Sequence, residues 1–280
     1  MRTVLALVVV TACAPSARVR EVSGQASASS CTAASDSVTC THRTFQLPVA
    51  AVGQSRVVHV GLPGGDPPAS GWPCVVLFQG SLFSAERTWS ATRADAFGAF
   101  WQTATVAALL DAGFAVVTPE VRLFGTTAWD TNLPQWSARW SEAPDRHLLV
   151  ALLDAVGAGE LGPLDPRRMY AGGLSSGGYM TSRMALSYPG RFRALAIHSA
   201  SWATCGGPLC VLPDALPADH PPTLFLHGER DAVVPIGTMR VYEERLRGQG
   251  VDVDVVTAPD KGHEWLEAAA GAMPSFFRAR

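Results

Sequence analysis

A hydroxyl, an imidazole and a carboxylate are enough to cleave an acyl bond if the chain brings them together. The stretch "GGLSSGGYM", residues 172–180, sets two serines among four glycines. Gly173-Leu174-Ser175-Ser176-Gly177 fits G-x-S-x-G with Ser175 at its centre, whereas Ser176 fails the frame because Leu174 stands two residues before it. The demand behind this pattern is steric. A nucleophile on a sharp strand-to-helix turn has strained backbone angles, and side chains two before and two after it would collide.

"LFLHGERDAVVP" supplies Asp231, 56 residues after Ser175, and "APDKGHEW" supplies His263, 32 residues further on. His263 beside Ser175 would take the hydroxyl proton, and Asp231 would hold the ring tautomer and stabilise the imidazolium. Glu229 is the alternative acid, but the "GERDAVVP" turn sets Asp231 deeper in the loop. His227, at a strand end, is expected to stabilise that loop, and His198 in "AIHSA" to be a hydrogen-bonded core histidine. His42, His59, His147 and His220 read as surface or structural. A developing oxyanion needs two N–H donors. The backbone of Ser176, at a helix N-terminus, is one. The other is expected from "LFQGSLFS", where Gly80 would allow close approach and Ser81 would donate.

These residues need a scaffold. Apolar strand patterns occur at 56–62, 74–78, 114–121, 168–173, 194–200, 223–228 and 251–259. Several are apolar on both faces, as strands covered by helices on each side must be. Helical spacing fills the intervals "FWQTATVAALLDAG", "DRHLLVALLDAVGAG", "GGYMTSRMALSYPG" and "IGTMRVYEERLRGQG". This alternation predicts an α/β fold with a mostly parallel, doubly wound sheet in a single domain covering 31–280. The order Ser, Asp, His, with the acid and base in loops after strands, is the order of the α/β-hydrolase fold.

Composition narrows the function. Apolar residues make up 48% of the 280 and charged residues 16%, enough for a large core, and a net charge of −2 argues against a nucleic-acid partner. "MRTVLALVVVTACAPSA" reads as an export signal over residues 1–13, its apolar run too short to span a bilayer. Val10-Thr11-Ala12-Cys13 fits a lipobox that would acylate Cys13, and Ala12-Cys13-Ala14 fits a cleavage site that would release the protein; both stay open. Membrane contact would then come only through such an anchor. Residues 14–30 read as a tether. In an oxidising compartment Cys31 and Cys40 would pair, as would Cys205 and Cys210, leaving Cys74 as a buried thiol. No CxxC or HExxH is present, and neither a metal nor an organic cofactor is expected.

The irregular stretch 122–145 carries Trp129, Trp136 and Trp140, while Tyr179, Trp202 and Trp265 flank the three reactive positions. Such aromatics would dock an aliphatic chain, or else fill the core; Trp72, Trp89 and Trp101 are assigned to packing.

"GLSSGGYMTSRMALSYPGRFRALAIHSASWATC" with "LFLHGERDAVVP" and "KGHEW" resembles the extracellular medium-chain-length polyhydroxyalkanoate depolymerases, over most of residues 31–270. The resemblance implies a secreted serine esterase, without a separate polymer-binding module, that hydrolyses polyesters of 3-hydroxy acids with Ser175, Asp231 and His263 as triad. Two other readings remain. One is a secreted carboxylesterase of small or carbohydrate-linked esters, of feruloyl or acetyl-xylan type, and the other a non-catalytic ligand-binding lipoprotein.

Overall fold

The computed structural model describes residues 18–23, 28–121 and 128–280. The expected leader at 1–13 with Cys13, and residues 122–127 of the Trp-bearing loop, lie outside the described residues. In chain order the elements are β1 (Arg20–Ser23), β2 (Cys31–Ala33), β3 (Ser37–Cys40), β4 (Arg43–Val49), β5 (Gln54–Gly61), β6 (Trp72–Phe78), β7 (Ser90–Thr92), α1 (Ala99–Asp111) and β8 (Ala115–Pro119). The second half holds α2 (Pro134–Ser137), α3 (Pro144–Gly157), β9 (Leu164–Leu174), α4 (Ser176–Ser187), β10 (Ala194–His198), β11 (Thr223–Gly228), α5 (Ile236–Gly248), β12 (Val253–Ala258) and α6 (Ala269–Arg278).

Nine strands form one sheet in the order β1-β4-β5-β8-β6-β9-β10-β11-β12. The first three pairings are antiparallel and the remaining five parallel. Alternate residues of each central strand feed opposite cores. In β6, Cys74, Val76 and Phe78 pack with α3, α4 and α5, while Val75 and Leu77 pack with α1 and α6. Both faces of the parallel strands are therefore covered, which explains their unbroken apolar runs.

Arg20–Ser23, inside the stretch expected to be a tether, instead forms the edge strand β1 on β4, where Glu21 pairs with Arg43. The two expected disulfides are present. Cys31–Cys40 crosses the β2–β3 pair and Cys205–Cys210 closes a short loop after β10, while Cys74 is free and buried. In parallel sheets the loops after the strands' carboxyl ends gather on one edge. Ser175 follows β9, Asp231 follows β11 and His263 follows β12.

Candidate active site

Ser175 sits between β9 and α4 with φ 57° and ψ −121°, a conformation L-residues rarely adopt. The glycines around it make that turn possible. A Cβ at Gly173 would lie 2.5 Å from the Gly177 carbonyl oxygen, and one at Gly177 only 2.0 Å from the Phe78 oxygen. One at Gly178 would meet the Ala200 methyl at 2.5 Å and the His198 oxygen at 2.7 Å. The elbow is thus wedged against β6 and β10, and the Ser175 N–H is tied to His198 O at 3.0 Å.

The neighbouring serine has a different job. Ser176 is buried; its Oγ accepts the Trp129 N–H at 2.9 Å and donates to Asn132 Oδ1 at 2.7 Å. It ties the segment holding Trp129 and Asn132 to the start of α4. Its backbone N–H belongs to the first turn of α4, where amides have no helical acceptor and point toward an incoming anion.

Gly228 joins the other two loops. A Cβ there would fall 2.3 Å from Gly262 O and 2.4 Å from Lys261 O, so the loops after β11 and β12 touch backbone to backbone. Arg230 N–H donates to Lys261 O across that contact. It brings Asp231 Oδ2 to 2.8 Å from His263 Nδ1. A carboxylate only accepts, so Nδ1 carries the proton and Nε2 keeps its lone pair. Asp231 Oδ1 accepts the N–H groups of Val233 and Val234 at 2.9 and 2.8 Å. Burial alone would raise the Asp231 pKa, but hydrogen bonds from His227, His263 and the Val234 N–H outweigh it and hold the carboxyl well below the usual carboxylate range. Glu229, the alternative acid, is exposed and accepts from Thr257 Oγ1 instead.

His227 stabilises its loop as expected. Its Nε2 meets Val234 O at 2.8 Å and lies 3.4 Å from Asp231 Oδ2. Both neighbours are acceptors, which fixes the proton on Nε2. His198 departs from expectation: it is fully buried with neither ring nitrogen hydrogen-bonded, and it stacks on Trp265 with centroids 3.7 Å apart. Burial, with His227 nearby, pushes its pKa well below the usual imidazole value, so it stays neutral.

Ser175 and His263 share the walls of one cavity of about 210 Å³, with Gly80, Ser81, Leu82, Phe83, Phe97, Leu174 and Val233. Ser81, expected as the second oxyanion donor, is one of these lining residues. Gly80 lets the loop approach the elbow, since a Cβ there would be 3.4 Å from Leu174 O and 3.9 Å from Ser175 Cβ. That loop is braced by the Gln79 side chain, which accepts the Val121 N–H and donates to Phe83 O.

The expected substrate-docking aromatics require correction. Trp129, Trp202, Trp265 and Tyr179 are buried, and none of them lines the cavity. Trp129 donates its indole N–H to Gln79 O at 2.9 Å and so braces the Gln79–Ser81 loop from behind. Trp265 bonds Thr105 through its indole, and Trp202 packs against Tyr242. Trp136 is half-buried on α2 and is also absent from the cavity wall. Large rings flanking a reactive loop fill the core beneath it, because there they remove most apolar surface from water.

The walls come instead from smaller signals. Phe97 lies edge-on to His263 with centroids 6.1 Å apart and edge-on to Phe83 at 5.6 Å. Its carbonyl accepts the Trp265 N–H at 2.9 Å, and at Gly98 (φ 70°) a Cβ would meet Trp265 O at 2.3 Å. Among the described residues no group of three or more His, Cys, Asp or Glu side chains could hold a metal ion, and no helix is long and apolar enough to cross a membrane.

No family model matches the chain. It is 46% identical over 242 residues, 86% of each sequence, to a poly(3-hydroxyoctanoate) depolymerase of Pseudomonas fluorescens. Among solved structures it resembles a dienelactone hydrolase of Klebsiella pneumoniae, with TM-score 0.57 and 19% identity, covering 86% of this chain and 99% of that one. An S-formylglutathione hydrolase of Staphylococcus aureus gives TM-score 0.59 and 16% identity, covering 85% and 96%. These structural likenesses establish the α/β-hydrolase fold.

Proposed function

The chain belongs to the poly(3-hydroxyoctanoate) depolymerase family of carboxylic-ester hydrolases, and we propose that it cleaves the ester bonds of medium-chain-length poly(3-hydroxyalkanoates) with Ser175, His263 and Asp231 as its triad. The observation that carries this reading is the 2.8 Å contact of Asp231 with His263 Nδ1, which leaves Nε2 basic in the cavity that Ser175 also lines.

In this reading His263 Nε2 takes the Ser175 proton as Oγ attacks the ester carbonyl. The tetrahedral oxyanion is held by the N–H groups of Ser176 and Ser81, whose worth lies in being fixed before charge develops. His263 then returns the proton to the departing alcohol, and water repeats the sequence on the acyl-enzyme. Asp231, kept ionised by its hydrogen bonds, steadies the imidazolium formed in both halves. The apolar walls contributed by Leu82, Phe83, Phe97 and Val233 suit an alkyl side chain better than a sugar.

The two disulfides support action in an oxidising compartment outside the cytoplasm. Release and lipid anchoring through Cys13 are separated by mass spectrometry of the mature N-terminus.

Clearing of a poly(3-hydroxyoctanoate) latex, set beside hydrolysis of feruloyl and acetyl esters, tests the substrate. The latex should clear at a rate that the small polar esters do not match. Efficient cleavage of those esters with an untouched latex would replace the depolymerase reading by that of a small-ester carboxylesterase.

A further inference from the structure

A cavity of about 540 Å³, separate from the one that Ser175 lines, lies between α2 and the loop closed by Cys205–Cys210. Its polar wall holds Thr131, Asn132 and Ser137, and its apolar wall Pro134, Ala138 and Leu209. A cavity of this size suits a small molecule with a short alkyl tail. Asn132 links it to the reactive turn, since Asn132 Oδ1 accepts the Ser176 O–H at 2.7 Å.

Behind the polar wall stands a cation without an anion. Arg183 lies on α4 about 10 Å along the helix from Ser176 and is only 2% exposed. Its Nε donates to Thr131 Oγ1 at 3.0 Å and its Nη2 to Ser137 Oγ at 2.8 Å, while the guanidinium sits 4.9 Å over the Trp140 ring. Among the described residues no carboxylate stands within ion-pair distance of it, and residues 122–127 contain no Asp or Glu. Burial pulls its pKa down to about 10, which still leaves it charged at neutral pH. A buried charge met only by neutral groups is costly to keep. The wall in front of it also has hydrogens to give. Ser137 Oγ accepts from Arg183 and Asn132 Oδ1 accepts from Ser176, yet among the described residues nothing accepts the Ser137 O–H or the Asn132 NH₂. Two donors, one of them polarised by a guanidinium, make a seat for an anion.

Each turnover of an ester hydrolase creates one carboxylate, and Pro134, Ala138 and Leu209 offer apolar surface to its alkyl tail. We propose that this cavity is a second binding site, which takes the carboxylate of a medium-chain 3-hydroxy acid on the Ser137 O–H and the Asn132 amide, with Arg183 supplying the charge from behind. The identity of the acid rests on the depolymerase reading, whereas the choice of a carboxylate rests on the cavity. Through Asn132, the bound product lies one hydrogen bond from Ser176, the residue that follows the nucleophile.

Calorimetry on the Ser175→Ala protein, which leaves esters intact, tests this with 3-hydroxyoctanoate and its uncharged methyl ester. The acid should bind at least about tenfold more tightly than the ester, as expected for hydrogen bonds to a charged group. Ser137 is half-buried on α2 and does not line the Ser175 cavity, so Ser137→Ala reports on the second cavity alone. It should weaken the acid about tenfold with an unchanged circular dichroism spectrum. Arg183→Met should weaken it at least as much; if that variant does not fold, Ser137→Ala still decides. Equal affinity for acid and ester, acid binding that Ser137→Ala leaves intact, or tighter binding of inorganic phosphate than of the acid would overturn the proposal. Ser137-dependent binding of the acid, in a protein whose parent does not clear the latex, supports the site while removing the depolymerase reading. A parent that clears latex but whose Ser175→Ala form binds no acid keeps that reading and removes the site.

Discussion

His263 Nδ1 lies 2.8 Å from Asp231 Oδ2 while Asp231 Oδ1 is fixed by two backbone N–H groups. This arrangement dictates what an amide would do in the same place. In Asp231→Asn the Val233 and Val234 N–H groups keep the amide oxygen, so the NH₂ faces Nδ1 and drives the ring proton to Nε2. The imidazole then cannot accept from Ser175. We expect kcat/KM to fall by on the order of 10⁴, with the circular dichroism spectrum unchanged.

The same carboxylate shapes stability against pH. Its folded pKa is depressed, so its contribution is complete above the unfolded value of about 4 and is lost as pH falls below that toward the folded value. Urea midpoints should therefore drop more steeply for the parent than for Asp231→Asn as pH falls below about 4. Parallel curves would show that the hydrogen bonds to Asp231 do not survive in solution.

Glycine positions separate wedge from spacer. Gly177→Ala drives a methyl into the Phe78 carbonyl and should cost about 3 kcal/mol or more, with loss of esterase activity. Gly237, in the first turn of α5, meets nothing within 4 Å, and Gly237→Ala should be neutral or stabilising by up to about 1 kcal/mol. Denaturant titration of the two variants checks both signs.

The cysteines divide in the same manner. Loop lengths set by separations of 5 and 9 residues predict losses of about 2 kcal/mol for Cys205→Ser/Cys210→Ser and about 3 kcal/mol for Cys31→Ser/Cys40→Ser. Cys74 is fully buried, which pushes its thiol up to about 12, so it should resist iodoacetamide until the protein unfolds.

Why some of this was readable from the chain and some was not follows from the range of the forces involved. All seven expected strands and all four expected helices are present, because continuous apolar runs and helical spacing are local consequences of burial. The Ser175 elbow was legible because G-x-S-x-G is itself a local pattern, although the clashes its glycines avoid include the distant Phe78 carbonyl as well as the contact between Gly173 and Gly177. The strand β4 escaped notice because Gln46 and Pro48 interrupt "RTFQLPV", although Phe45, Leu47 and Val49 alternate inward as an antiparallel strand should. The tryptophans misled because their chain positions flank the site while their rings point into the core. Phe97 was missed for the converse reason. Its place over His263 is set by a backbone contact with Trp265, 168 residues away, which no local pattern encodes.

Trapping the acyl-enzyme tests the central claim most directly. The protein should be acid-quenched during turnover of p-nitrophenyl octanoate, digested, and its peptides read by tandem mass spectrometry. The account predicts an octanoyl ester on Ser175, which accumulates when water attack is slowed and is absent from Ser175→Ala. Turnover with the acyl group on Ser176, or undiminished turnover in Ser175→Ala, would contradict it.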